Sequence, residues 1–481
     1  MKITEKLMTL MYRAMLAIFI LIFALSAFLS NYESSSVLVY GVLFAFIVTK
    51  FAKKYNTAFD NTSDVMLLTA LSVACFVIKL LWVIFMPMEP KVDYATFYQT
   101  AQALSEDWIY ADRYIALFPH LMGYSSFLSV FFKIFGDSVF LAAFLNVVLT
   151  VISGILIYKT MRIMISPTAA VGAYIMWIVC PSQTIYNSLV LSDPLYTTLI
   201  LGFVYVIAVI TKKESSVTTT AMILYGVLSG IILRGVNVNR PIAAIFVIAL
   251  FIWLFILRAD ELFTKDSLKK RLPFFAVLLA VYVLTGSLWN MYFESRICEA
   301  PASAPGYNIH VGFNEASGGA WNYEDSALLF SYSDSENATA DWAQKQMFEE
   351  AKKRILSGEI DFAKLFRSKL STFLGMDSAC VDYCAEIIED KDIMRMVCNS
   401  FYYCILVLAI AGAYKMFDTS RSCAVFILPL YVIGITCAQM LVEVAPRYHY
   451  SVIPFIIMIA QFYLFEKRGE GILHGKDVEK K

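Results

Sequence analysis

Twelve apolar spans, rather than any catalytic signature, limit what this chain can fold into. A run of about 17 to 25 mainly apolar residues can cross a hydrocarbon core as a helix, because only internal hydrogen bonds satisfy the backbone there. Such runs fall at 14–30, 36–49, 66–87, 138–158, 168–186, 193–210, 218–236, 241–257, 273–292, 398–414, 423–442 and 450–466, some of them short. The 481 residues are 59% hydrophobic and 16% charged, a balance that no water-soluble fold could cover with polar surface. The sequence therefore predicts an all-α polytopic membrane protein with about 12 transmembrane helices and extracytoplasmic loop segments.

The charges set an expected orientation. Lys2, Lys6 and Arg13 precede the first span, no small-residue cleavage site follows it, and a second span comes soon after. It is expected to be an anchor, with the amino terminus cytoplasmic. Threaded from there, the inner loops hold Lys50, Lys53 and Lys54; Lys159 and Arg162; Lys212 and Lys213; Arg258, Lys265, Lys269, Lys270 and Arg271; Lys415 and Arg421; and Lys467 and Arg468. The outer connections at 31–35, 187–192, 237–240 and 443–449 carry only Arg240 and Arg447 as fixed cations. This bias puts both termini in the cytoplasm. Four units are expected: two extra amino-terminal helices in 1–65, a transmembrane core in 66–292 with an external loop at 88–137, a large extracytoplasmic segment at 293–397, and carboxy-terminal helices with a cytoplasmic tail in 398–481.

Net charge is zero and there is no basic tail or low-complexity tract, so nothing suggests nucleic acid as a partner. No P-loop or dinucleotide fingerprint appears, which argues against a nucleotide sugar used from the cytoplasm. Nine Cys are scattered, mostly in spans; Cys380 and Cys384 lie in the outer segment and are spaced for a disulfide or, without nearby His, a poor metal site.

Two outer regions are too long to be turns and are where function is expected. In the first, Tyr94 to Trp108 has the pattern of a short amphipathic helix, and the apolar stretch from Phe118 to Gly136 is expected to lie in the interface. Making it a span would move every later basic loop outside. The second region opens with a Gly-, Asn- and aromatic-rich stretch, Asn308 to Asp325, and is expected to be helical from about Ala340 to Phe373. Asn314 and Trp321 typify the amides and rings that suit a sugar, although an ordinary ordered loop has the same composition.

The candidate chemistry lies at the outer face. Asp93, a few residues past the third span, can act as a general base, or be a solvated loop acid. Asp193, in Ser192-Asp193-Pro194, suits both a site acid and the start of a helix. Arg240 and Arg447 offer planar forks for phosphate, or snorkel to headgroups. Glu443 lies one helical turn from Arg447 and could pair with it. His120 and His449 fit hydrogen-bonded interfacial histidines better than metal ligands. Tyr94, His120, Asn314, Trp321, Glu443 and His449 stand as candidate substrate contacts.

Asp93, the segment from Phe118-Pro119 to Phe135-Gly136, the stretch Pro181 to Asp193, and Arg447-Tyr448 together resemble the bacterial relatives of the dolichyl-phosphate-mannose protein mannosyltransferases, glycosyltransferases of the GT-C fold. The likeness runs from about 66 to 466. It implies a GT-C-like membrane enzyme that takes a sugar from a polyprenyl-phosphate donor to an extracytoplasmic acceptor (glycan, lipid or protein) in the cell envelope. By that resemblance Asp93 is the catalytic acid that deprotonates the acceptor, Asp193 a second external acid, and Arg240 and Arg447 the groups that meet the lipid phosphate. Two extra spans precede the catalytic loop, and Phe118-Pro119-His120 stands where many relatives have Tyr-Pro-Pro. No cofactor is required by this reading; a divalent ion shared by Asp93 and Asp193 is left open.

Two other readings use the same features. A transporter or flippase of a lipid-linked glycan would place polar residues near the bilayer midplane; the spans are mostly plain apart from Asn146 and Gln439, with Lys79 expected to snorkel outward. An envelope polysaccharide polymerase or ligase would also use lipid-linked donors and external arginines.

Overall fold

The computed structural model describes residues 2–30, 35–213, 216–259, 265–417 and 424–465. Arg421, Lys467, Arg468 and the expected carboxy-terminal tail lie outside them. The described residues form helices and turns without a strand, and the chain is a multi-pass membrane protein by the length and apolarity of those helices.

Seven helices are long and apolar enough to cross a membrane. They are Lys2–Ser30, Asp64–Phe85, Val139–Met164, Asp193–Lys213, Thr219–Asn239, Lys265–Ile297 and Lys391–Met416. The bent pair Pro167–Val179 and Pro181–Ser188, at 58°, makes an eighth if it is one span. The other expected spans fall on Ser35–Lys54, Ala243–Phe251 with the π-helical turn Ile252–Leu257, Ile427–Leu441, and Ile453–Leu464. By length and composition the described residues thus support seven or eight crossings against the twelve expected.

The bend follows from Pro181, which has no N–H and drives the preceding residue out of the helical region; Cys180 is extended at φ −63°, ψ 115°. The carbonyl of Cys180, which already accepts from Thr184 N and Oγ1, also accepts from Lys79 Nζ at 3.4 Å, and Thr184 Oγ1 accepts from that ammonium at 2.5 Å. Lys79 is fully buried, so it does not snorkel. A buried ammonium needs acceptors, and the broken helix supplies them locally.

Side-chain contacts sort several of the charges between the two ends of the bundle. At one end Asp64 accepts from Arg162 and Tyr158, and Lys53 lies over the ring of Tyr463. The charge of Lys212 also acts on Asp64 there. The opposite end carries Asp93, Asp193, Arg240 and Arg447.

Beside that opposite end, Asp93–Glu106 forms the expected amphipathic helix, and Leu121–Phe135 is a separate helix of 15 residues. At about 1.5 Å per residue it reaches roughly 22 Å, short of a hydrocarbon core of about 30 Å. It packs on the first through Phe97 and Tyr124, ring centroids 5.3 Å apart. Its Gly123 lies against the backbone of Val238 and Asn239, where a Cβ would come within 2.3 Å of a carbonyl oxygen.

The large segment folds as Gly306–Gly312, Tyr323–Ser333, Ala340–Leu356, Phe362–Leu374 and Ala379–Tyr383. The helix expected from Ala340 to Phe373 is broken after Leu356, where Gly358 takes φ +76°, open to glycine without strain. Buried Asp325 ties the first three helices together. It accepts from Arg354 at 2.8 and 3.1 Å, from Asn314 at 2.9 Å and from Asn322 at 2.7 Å, with His310 Nε2 at 3.2 Å. Burial opposes its charge, yet hydrogen bonds from His310, Arg354, Asn322 and Asn314 hold the carboxyl well below the usual range. Cys380 and Cys384 are free thiols. Cys380 faces Cys398 at 4.0 Å and Cys384 faces the carbonyl of Ile185, because residues four apart on one turn lie one above the other rather than side by side.

Candidate active site

Asp93 opens the helix Asp93–Glu106, directly after Val92, which is held at φ 49°. A β-branched residue in that region is strained, and its side chain faces solvent at 84% exposure. The result aims Asp93 back toward the bundle. Its Oδ2 accepts from Arg447 Nη2 at 2.7 Å. The Arg447 side chain is 15% exposed and that of Asp93 44%, so the acid keeps an open side while the arginine is enclosed.

Arg447 belongs to the 3-10 turn Pro446–Val452, between Ile427–Leu441 and Ile453–Leu464. Its guanidinium lies 5.5 Å from the ring centre of Tyr94 and 5.9 Å from that of Tyr448. Its Nε has no partner among the described residues. Arg240 follows the last turn of Thr219–Asn239 and stacks on Tyr448 at 4.0 Å, with Tyr196 at 5.9 Å. Both guanidiniums therefore flank one tyrosine.

Asp193 starts the helix Asp193–Lys213 and is almost fully buried. Its Oδ1 accepts from Tyr196 at 2.9 Å, and its charge acts on both Arg240 and Arg447. His120, at the start of Leu121–Phe135, lies near both arginines. Burial, then the charges of Arg240 and Arg447, push its imidazole down to about 3, against the opposing pull of Asp93. It is a neutral donor and acceptor at working pH.

Glu443 does not pair with Arg447 as its spacing suggested. Residues 442–445 are not helical, so a separation of four no longer stacks the two side chains, and Arg447 turns to Asp93. Burial raises the Glu443 carboxyl above its usual range, while Arg447 and Arg240 oppose that rise and Asp93 adds to it. His449 leaves the site altogether. A 3-10 turn places successive residues about 120° apart, so Arg447 and His449 face different ways. His449 is buried, its Nε2 2.9 Å from Asp377 Oδ1 and its ring beside Phe373 and Tyr402.

The remaining candidates lie in the large segment. Asn314 spends its amide on Asp325, and Trp321 is 62% exposed. Neither contacts Asp93 or Arg447 in any hydrogen bond or ring pair among the described residues. The structure thus brings together Asp93, Tyr94, His120, Asp193, Arg240, Glu443 and Arg447, and separates Asn314, Trp321 and His449 from them. Tyr448, read in the sequence only as part of the Arg447-Tyr448 motif, joins the site between the two arginines, and Asp377 carried no sequence signal.

Among the described residues no three His, Cys, Asp or Glu side chains converge where a metal could sit. Asp93 and Asp193 are both turned to arginines or tyrosines. Alongside, Leu121–Phe135 and Val139–Met164 enclose an apolar groove of about 680 Å³ lined by Phe127, Phe131, Phe135, Leu141, Phe144 and Leu145, among others. It begins two turns, about 10 Å, along the helix from His120. A carboxylate with an open side, two fixed cations and a nearby apolar groove can together handle a proton, a phosphate and a lipid tail.

Residues 120–289 match the family model described as dolichyl-phosphate-mannose-protein mannosyltransferase. The resemblance expected from about 66 to 466 is thus found over 120–289, a stretch that holds Asp193 and Arg240 but neither Asp93 nor Arg447. No curated protein matches the chain. Among solved structures, the chain is similar to the archaeal oligosaccharyltransferase AglB from Archaeoglobus fulgidus, in complex with an inhibitory peptide and a dolichol-phosphate, at 13% identity over 82% of this chain and 50% of that one, with a TM-score of 0.47. The apo form of the Archaeoglobus fulgidus enzyme gives 14% identity, 84% and 51% coverage and the same TM-score of 0.47. ArnT from Cupriavidus metallidurans, bound to undecaprenyl phosphate, gives 12% identity, 82% and 78% coverage and a TM-score of 0.33. The chain spans about half the length of the archaeal structures it matches.

Proposed function

We propose that this chain, matched over residues 120–289 by the mannosyltransferase family, is an integral membrane glycosyltransferase that moves a sugar from a polyprenyl-phosphate donor to an acceptor outside the cytoplasm. The contact between Asp93 and Arg447, 2.7 Å apart with Arg240 alongside, is the observation that carries this reading. It puts a proton acceptor next to cations that suit a departing phosphate.

In the proposed reaction Asp93 accepts the proton of the acceptor hydroxyl as that oxygen forms its bond to the anomeric carbon. The bond from that carbon to the phosphate oxygen breaks, and its electron pair leaves with the prenyl phosphate. Arg447 and Arg240 hold the negative charge that collects there, Arg447 through its planar fork. His120, kept neutral, can donate a hydrogen bond to the phosphate without adding charge. Asp193 fixes Tyr196 and balances the two arginines. The apolar groove beside Leu121–Phe135 takes the first isoprene units of the donor, which lets the tail remain in lipid while the headgroup enters the site. The orientation expected from the basic loops puts this end of the bundle outside the cytoplasm.

The test is transfer in proteoliposomes from a radiolabelled polyprenyl-phosphate sugar to envelope glycan, lipid and peptide acceptors, with product mass measured. Addition of one sugar supports the reading. Movement of the donor across the bilayer without covalent change, or addition of a whole chain, would replace it with a flippase or a polymerase.

A further inference from the structure

Asp377 lies just past the helix Phe362–Leu374, in the large segment, and is almost fully buried. Its carboxylate joins two parts of the chain that meet at the candidate site. Oδ2 accepts from Ser182 Oγ at 2.5 Å, and Oδ1 lies 2.9 Å from His449 Nε2. Ser182 stands at the bend of the pair Pro167–Val179 and Pro181–Ser188, on the stretch that leads to Asp193. His449 shares the turn Pro446–Val452 with Arg447. The backbone N–H of Asp377 donates to Asn399 Oδ1 at 2.9 Å, which fixes the acid to the helix Lys391–Met416 as well.

A buried carboxylate is costly unless its oxygens are hydrogen-bonded, and apolar residues of the same size would pack without that cost. What the carboxylate adds is direction: two oxygens in one plane fix the bent pair and the turn relative to each other. The Nδ1 of His449 has no partner among the described residues, so the bond to Asp377 is what orients that ring. Arg447 needs such a frame. Its hydrogen bond goes to Asp93, a half-exposed acid, and its Nε has no partner among the described residues. A long side chain held so lightly takes its place from the backbone that carries it. Misplacing a group at a reaction centre by about 1 Å can cost about 10²-fold in rate.

We propose that Asp377 is a positioning residue for phosphate binding: through His449 and Ser182 it sets the turn that carries Arg447 against the stretch that leads to Asp193, and so fixes where Arg447 meets the prenyl phosphate. The inference rests on the functional reading above. Asp377 acts from behind the site, through His449, and does not itself contact the phosphate.

The experiment measures the Kd for undecaprenyl phosphate of the full-length protein in nanodiscs, as a double-mutant cycle of Arg447→Gln with variants at 377 and 449. Asp377→Asn keeps the shape of the side chain but turns one acceptor into a donor. It is expected to raise Kd about tenfold when Arg447 is present and by less than about twofold in the Arg447→Gln background, as coupling within one network requires. His449→Leu is expected to behave like Asp377→Asn. His449→Gln, whose amide can still donate to Asp377, is expected to stay within about twofold of wild type. Equal factors in both Arg447 backgrounds would overturn the inference, because a general loss of stability acts alike on both. An equal Kd for His449→Leu and His449→Gln would overturn it too, and that comparison stands even if Asp377→Asn does not fold. Undecaprenyl phosphate that fails to bind the wild type, or binds regardless of Arg447→Gln, would overturn the functional reading and this inference with it.

Discussion

Asp93 and Arg447, 354 positions apart in sequence, meet at 2.7 Å. The proposed base and the proposed phosphate ligand are each other's counter-ion in the free protein. Asp93→Asn keeps the shape of the side chain but removes its capacity to take a proton. Transfer is expected to fall by about 10²- to 10⁴-fold, while prenyl phosphate binds as well or better because Arg447 has lost a competing anion. Turnover within a factor of a few of wild type would remove Asp93 from the mechanism.

Arg447 is the more enclosed partner, and its planar fork is what a phosphate would meet. Arg447→Gln is expected to raise the donor KM and lower kcat together, since charge on the leaving phosphate grows in the transition state. Arg447→Lys restores charge without the fork and should recover only part of the loss. Equal activity of the Lys variant and wild type would reduce the role of Arg447 to that of a point charge.

His120 gives a pH signature. Its imidazole is held down at about 3 by burial and two arginines, against an ordinary value of about 6.5. Between those values the unfolded chain binds a proton that the folded protein refuses, so stability falls as pH drops from about 6.5 toward 3. In His120→Gln the decline in thermal midpoint between pH 7 and pH 4.5 is expected to be shallower than in wild type. Parallel curves would show that His120 does not titrate in this window.

The apolar groove makes a prediction about the donor tail. Val148→Trp fills part of it from the helix Val139–Met164 without touching the charged residues. The KM for a long-chain polyprenyl-phosphate donor is expected to rise several-fold, while a donor with a short tail is used as before. Equal effects on both would place the tail elsewhere.

Asp377 and His449 form a buried pair, with Asp377 also accepting from Ser182 at 2.5 Å. Asp377→Ala leaves both partners buried and unsatisfied, and a loss of about 3 to 5 kcal/mol is expected, seen as a lower unfolding midpoint of the purified protein. Lys353→Ala, which removes a surface pairing with Glu350, should leave the midpoint nearly unchanged. A stable Asp377→Ala variant would show that the pair is not what anchors the turn behind Arg447.

What the sequence by itself determined was the solvent, and with it the fold class. Apolar runs as long as those at 66–87 and 138–158 can satisfy their backbones in lipid only as helices, and the clustering of lysines and arginines in alternate loops was enough to collect Asp93, Asp193, Arg240 and Arg447 at one end. Local pattern also gave the helix Asp93–Glu106. Tertiary structure alone decided the pairings. Glu443 lost Arg447 because an extended link replaced the helix that its spacing assumed. Arg447 and His449 parted because a 3-10 turn sends them in different directions, and Lys79 found its acceptors where a helix breaks. A side chain's partner depends on backbone geometry and on segments hundreds of residues away, and neither is written in the residue or its near neighbours.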